Sequence, residues 1–151
     1  MKPALAPAQQ AAVDRLAARN RVEMVISDPL RARTFLRAAT DRVEQCDLLT
    51  SPVVRFGVAY DAAHDVGEAV LAFYGYRTTN RAGQHEALGR FLEAVFDSPP
   101  GQVAAQRFDR LRRARNQAHY EAAPVGVAEA DLATLTASTL LDAALERLAL
   151  E

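Results

Sequence analysis

Apolar residues recur at three- and four-residue intervals along almost the whole chain, the period of helices packed by one face. Residues 8 to 22 are expected to form a first helix with Ala12, Val13, Leu16 and Ala17 inward. Asp28-Pro29 supplies a cap and a proline at the first helical position, opening a second helix with Leu36, Ala39, Val43 and Cys46 on its stripe and Phe35 alongside. Ser51-Pro52 repeats the device. The helix it opens is the longest, running to Tyr74, with Val54, Val58, Ala62, Val66, Ala69, Val70 and Phe73 at buried spacing and Gly75 as its stop. A loop through Arg77-Thr78-Thr79-Asn80 leads to a fourth helix near 82 to 96, with Leu88, Phe91, Leu92 and Val95 inward.

Asp97-Ser98-Pro99-Pro100-Gly101 breaks that helix. A fifth is expected from Gln102 to Glu121, ended by Pro124 and Gly126. A last one, from Ala128 to Leu150, carries Leu132, Leu135, Leu141, Leu145 and Leu148. No segment alternates at the period of a strand, and no repeat or long linker divides the chain. The pattern predicts an all-α fold, a single-domain antiparallel helical bundle of five or six helices over 8–151 behind a flexible start at 1–7.

The fifth helix departs from this simple patterning. At 3.6 residues per turn, Phe108, Leu111, Arg115, Ala118 and His119 share one arc, Arg112 lies at its edge, and Asn116 lies slightly further round. Arg113 points well away. Cationic and titratable groups thus fall on the face that ought to be apolar, where they need partners or must line a cleft.

Charge sharpens the contrast. The chain carries a net charge of −1, so it exerts no general pull on nucleic acid. Yet residues 101–120 hold Arg107, Arg110, Arg112, Arg113 and Arg115 against Asp109 alone. A basic helix face is commonly just solvated, a reading that suits Arg107, Arg110 and Arg113 better than Arg112 and Arg115. Seventeen of the eighteen basic residues are arginine, a bias that fits high-GC bacterial coding.

At 151 residues the chain is long enough to bury roughly 68–70% of its unfolded surface without staples. Cys46 is the only cysteine, which excludes an internal disulfide and fits a reducing compartment. Neither a secretory leader nor a membrane-spanning stretch is apparent, so a cytoplasmic protein without a membrane partner is expected.

His119 follows Arg115 by four residues and Arg112 by seven, spacings that gather the three on one side of a helix. Arginine grips a phosphate through paired hydrogen bonds, and histidine moves protons near neutral pH, so the group suits phosphodiester chemistry. Asn116 would orient a ligand. Pairing of Arg112 and Arg115 with acids of neighbouring helices, and a His119 bonded to a carbonyl, would account for the same pattern with no ligand at all.

Elsewhere, Asp61, His64 and Glu68 share a face of the third helix, with His85 and Glu86 placed to meet them from the fourth. Three histidines on three helices would suit a metal-dependent bundle, yet the paired Glu-x-x-His motifs of di-iron bundles are missing, and structural histidines are expected. Tyr60 and Tyr120 either close over a base or cap the core. Cys46 reads as an inert buried thiol. There is no glycine-rich phosphate loop and no CxxC, and no cofactor or metal site is expected.

Tyr60-Asp61-Ala62-Ala63-His64, the turn Gly75-Tyr76-Arg77, Gln84-His85-Glu86-Ala87-Leu88 and Arg112-Arg113-Ala114-Arg115-Asn116-Gln117-Ala118-His119-Tyr120 together resemble the HEPN superfamily over roughly residues 30 to 148. The last segment is the specific one. The resemblance implies a helical bundle that dimerises so that its motif helices form a composite cleft. Active members are metal-independent ribonucleases with an arginine, four to six intervening residues and a histidine. Many small bacterial members are toxins paired with a nucleotidyltransferase antitoxin, and others only bind nucleotide, RNA or protein.

The family places a polar residue after its motif arginine, which selects Arg115-Asn116, but only three residues then precede His119. Arg113 meets the nominal spacing while projecting about 120° away on a regular helix. Arg112 satisfies both spacing and phase. The expected catalytic set is therefore Arg112, Arg115 and His119, with Asn116 and Tyr120 binding substrate; a degenerate binding module is the alternative.

Overall fold

Proline and its preceding residue set where several helices begin. The structure, a computed structural model, describes residues 4–79 and 82–150. Residues 1–3 of the expected flexible start, and Asn80 of the expected loop, lie outside the described residues. Helix α1 (Pro7–Ala18) starts at its proline, and the Gln9 side chain accepts the Ala6 N–H at 2.8 Å. Helix α2 (Pro29–Cys46) starts the same way, with the Asp28 carboxylate accepting the Arg31 N–H at 2.9 Å. Helix α3 (Pro52–Tyr74) opens at Pro52, but the Ser51 hydroxyl makes no capping bond, so proline alone does there what cap and proline do at α2.

Gly75 ends α3 in the left-handed region at φ 80°, and a Cβ there would lie 2.7 Å from the Val25 carbonyl oxygen. The chain then pairs as a short antiparallel sheet of β1 (Val22–Met24) and β2 (Tyr76–Thr78), with Val22 opposite Thr78 and Met24 opposite Tyr76. This corrects two expectations. The first helix stops at Ala18 rather than 22, and the described residues do contain strands. Asn20 turns the chain at φ 56°, and Val22 is buried against the core. Three residues are too few for an alternation to register.

Helix α4 (Gln84–Val95) follows Gly83, α5 (Gly101–Tyr120) follows the proline pair, and α6 (Val127–Leu148) follows Gly126. The result is an all-α bundle of six helices among the described residues, built around α3, which packs against α2, α4, α5 and α6. Its small residues permit this. Ala59, Ala62, Ala63, Ala69 and Gly67 are buried along α3, and a side chain at Gly67 would overlap Leu88 of α4.

Two stripes differ from their sequence reading. Val54 is half exposed, because the inward face at the start of α3 is taken by Phe56 and Ala59. On α6 the core face is Ala130, Ala133, Ala137, Leu140, Leu141, Ala144 and Leu148, which leaves Leu135 and Leu145 outward. Leu135 stands two residues from Ala133, roughly 200° round the helix. No described helix is long and apolar enough to cross a membrane. Cys46 is buried, and burial pushes its thiol pKa up.

Candidate functional site

Helix α5 has two unlike halves. Ala104, Ala105, Phe108 and Leu111 are buried, and no residue after Leu111 is. The arc that the helical period assigned to the core therefore continues past the core's edge. His119 is exposed rather than inward, and among the described residues its side chain makes no hydrogen bond or ion pair. Tyr120 is 84% exposed. Arg113 does project away, lining a cavity of about 360 Å³ with Arg110, Gln117 and Glu129 on the side of α5 that meets α6.

Arg112 is held by its own helix. Its Nε and one terminal nitrogen donate to the same Asp109 oxygen at 3.0 and 2.8 Å, while Arg113 reaches the other carboxylate oxygen at 3.3 Å. Burial works to raise the Asp109 pKa. The hydrogen bonds and charge of Arg112, then the charges of Arg113 and Arg90, outweigh it and hold the carboxyl below its usual range. The acid that satisfies Arg112 thus lies one turn earlier, not on a neighbouring helix.

Arg115 is satisfied differently. Its guanidinium carbon sits 5.1 Å from the centroid of the Tyr60 ring, a cation–π contact. Tyr60 is buried, with its ring nearly parallel to those of Phe108, at 5.4 Å, and His85, at 5.9 Å. Its hydroxyl lies 2.7 Å from His85 Nδ1. Burial pushes the phenol up to about 12 despite the opposing charges of Arg115 and Arg112, so Tyr60 keeps its proton.

Behind this pair lies His64, its ring centroid 4.6 Å from that of His85. Burial, then His85 and Arg115, pull His64 down to about 4, which leaves it neutral beside Glu68, 4.0 Å away. His85 is lowered as well, by burial first and then by Arg115 and Arg112. Glu86 turns aside to pair with Arg21 at 3.1 Å, and Asp61 is exposed. Of the five groups on α3 and α4 read together from sequence, the structure joins His64, His85 and Glu68. Among the described residues, no group of three or more His, Cys, Asp or Glu side chains is arranged to hold a metal ion.

These parts border one concavity of about 280 Å³. Gly83, Gln84, His85 and Glu86 line it from the start of α4, and Arg112, Arg115, Asn116 and Tyr120 from α5. Four of the five expected site residues therefore share a cleft, and His119 does not line it. His85 takes a place there that sequence reading gave it only in a different cluster. The one hint was its position in the first turn of a helix. A second, larger cavity of about 430 Å³ lies at the other end of α4, between Gln9, Asp97, Gly101 and Arg147.

Comparison of the chain with protein-family models, with curated proteins and with solved structures finds no match in any of the three.

Proposed function

We propose that this protein is a HEPN-like module that binds the phosphate backbone of single-stranded RNA in the cleft between the start of α4 and the second half of α5. One observation carries the reading: Arg112, Arg115 and Asn116 meet the opening turn of α4 on a single concave surface. A guanidinium and a side-chain amide are both anion donors, and the start of a helix carries a positive partial charge. The acids nearby are occupied, Glu86 by Arg21 and Asp109 by Arg112. Tyr120, standing free at the rim, offers a surface for a base.

Fluorescence anisotropy with a labelled short oligouridylate tests this reading. Arg115→Ala is expected to weaken binding about tenfold or more. Equal binding by wild type and variant would sink the proposal.

The catalytic reading is favoured by the position of His119. It is exposed, unpartnered and next to Tyr120, so it is available to the cleft of a second copy rather than its own. In that form the protein is a homodimeric, metal-independent endoribonuclease in which Arg112 and Arg115 hold the phosphate and His119 of the second copy moves the proton. By the same resemblance, a nucleotidyltransferase antitoxin would be its partner. Cleavage of single-stranded RNA in EDTA by wild type and not by His119→Ala, with a dimer in sedimentation, is the expected result. A monomer, or cleavage unaffected by His119→Ala, removes the catalytic reading and leaves the binding one.

A further inference from the structure

We propose that His85 is a phosphate-binding residue of the cleft, acting as a neutral Nε2–H donor whose tautomer is set by the buried hydroxyl of Tyr60. The inference rests on the cleft being the phosphate site and assigns to it a residue outside the arginine and histidine pattern of α5.

The tautomer follows from the Tyr60 contact. A neutral imidazole carries one N–H and one bare nitrogen, and a partner fixed at one nitrogen decides which is which. The phenol is a good donor and a poor acceptor, whereas a bare imidazole nitrogen is among the best acceptors a protein has. Across the 2.7 Å contact Tyr60 therefore donates to Nδ1, and the ring proton resides on Nε2. Tyr60 is itself buried in contact with Phe108 and Arg115, so its hydroxyl has little freedom to turn away. His85 Nε2 has no hydrogen-bond partner among the described residues, while the residue lines the cleft.

The surroundings keep the ring neutral. His64 and Asp61 face it from α3, Arg112 and Arg115 from α5 with Asp109 behind them, and Glu86 adjoins it on α4. Burial first, then Arg115 and Arg112, oppose a second proton on His85, Asp61 favours one, and Glu86 is engaged by Arg21. A histidine in the opening turn of a helix is held as imidazole rather than imidazolium by the same local field. His85 thus contributes a directed donor without adding charge. Its second nitrogen already bears a proton, so it cannot serve as a general base toward a bound ribose. Proton abstraction in the cleft, if any, falls to another group.

Binding of labelled oligouridylate to wild type, Arg115→Ala, His85→Ala and His85→Gln, between about pH 6 and about pH 8, tests the donor role. His85→Ala is expected to weaken binding about three- to tenfold, the worth of one neutral hydrogen bond. His85→Gln, which keeps a neutral N–H donor, should bind within about twofold of wild type, and wild-type affinity should stay flat across the range. Nitrogen-15 NMR of the free protein should show His85 protonated at Nε2, and Tyr60→Phe, with its melting curve recorded, should mix the tautomers.

If Arg115→Ala loses binding while His85→Ala does not, the His85 role is overturned and the cleft stands. Affinity that rises about tenfold toward acid in wild type but not in His85→Gln would overturn it too, in favour of a cationic imidazolium. Loss at neither position removes the cleft itself. A proton found on Nδ1 overturns the tautomer whatever the binding shows.

Discussion

Polar side chains enter the interior of this bundle at both ends of α4, and the two clusters end in opposite states. At the far end, Gln9 is 5% exposed, and every polar atom of its side chain is engaged. Its amide donates to the Val95 carbonyl at 3.1 Å and to Asp97 at 2.9 Å, and its oxygen accepts from Ala6 N–H and from Arg147. Arg147 goes on to donate to the Tyr74 hydroxyl at 2.8 Å. At the near end, Arg115 lies over an aromatic face rather than against an acid, and His85 is bonded at one nitrogen only. The first network is closed and ties α1, α6 and the α4–α5 connection together. The second stops short of closure at residues that line the cleft. Residue type and burial therefore do not separate a structural cluster from a candidate site; spare hydrogen-bonding capacity beside a concavity is what distinguishes the two ends here.

The contrast breaks first at Gln9. Gln9→Leu leaves the Val95 carbonyl and Ala6 N–H without their partner and costs Arg147 a bond, so a loss of about 3 kcal/mol is expected. For a chain of this size that lowers the melting temperature by about 6–12 °C. RNA binding by the folded fraction should be unchanged, and a thermal shift below about 2 °C would show that the closed network is not a latch.

The next effect is the pH response of the near cluster. His64, held near 4 in the fold and at its ordinary value when unfolded, makes the unfolded chain bind the extra proton first as pH falls. Stability should therefore decline from about pH 6.5 toward pH 4, by up to about 3 kcal/mol. Burial raises Asp65 and Glu68, which works in the opposite sense, since the fold takes up their protons early. The comparison is thus wild type against His64→Asn, and parallel stability–pH curves for the two would contradict the assignment. Smallest is the stability cost of Arg115→Ala, about 1 kcal/mol for a partly exposed cation–π contact, against the large loss of binding that the proposed function predicts for it.

The helices were legible where punctuation is local. Asp28-Pro29, Pro52 and Gly75 mark α2 and both ends of α3 because a fixed φ, a missing N–H or a left-handed turn acts on the residue itself. The β1–β2 pair was not, since strands of three residues are held by partners more than fifty residues away. His119 shows a different limit. Periodicity placed it on the inward arc of α5, but it says which way a side chain points and not whether a neighbouring helix reaches that far, and His119 is exposed. Arg112, Arg115, Asn116 and Tyr120 came together because they share one helix end. The Tyr60–His85 contact arises from how α3 and α4 pack, which neither segment encodes alone.

The contact of Tyr60 with Arg115 has an optical consequence. The chain contains no tryptophan and four tyrosines, so its near-ultraviolet signal comes chiefly from phenols. Three of these, Tyr60, Tyr74 and Tyr76, are buried, and Tyr60 alone touches the guanidinium that lines the cleft. Any ligand that draws Arg115 toward itself changes the field on that ring, so the protein carries a built-in chromophore that reports occupancy without a label.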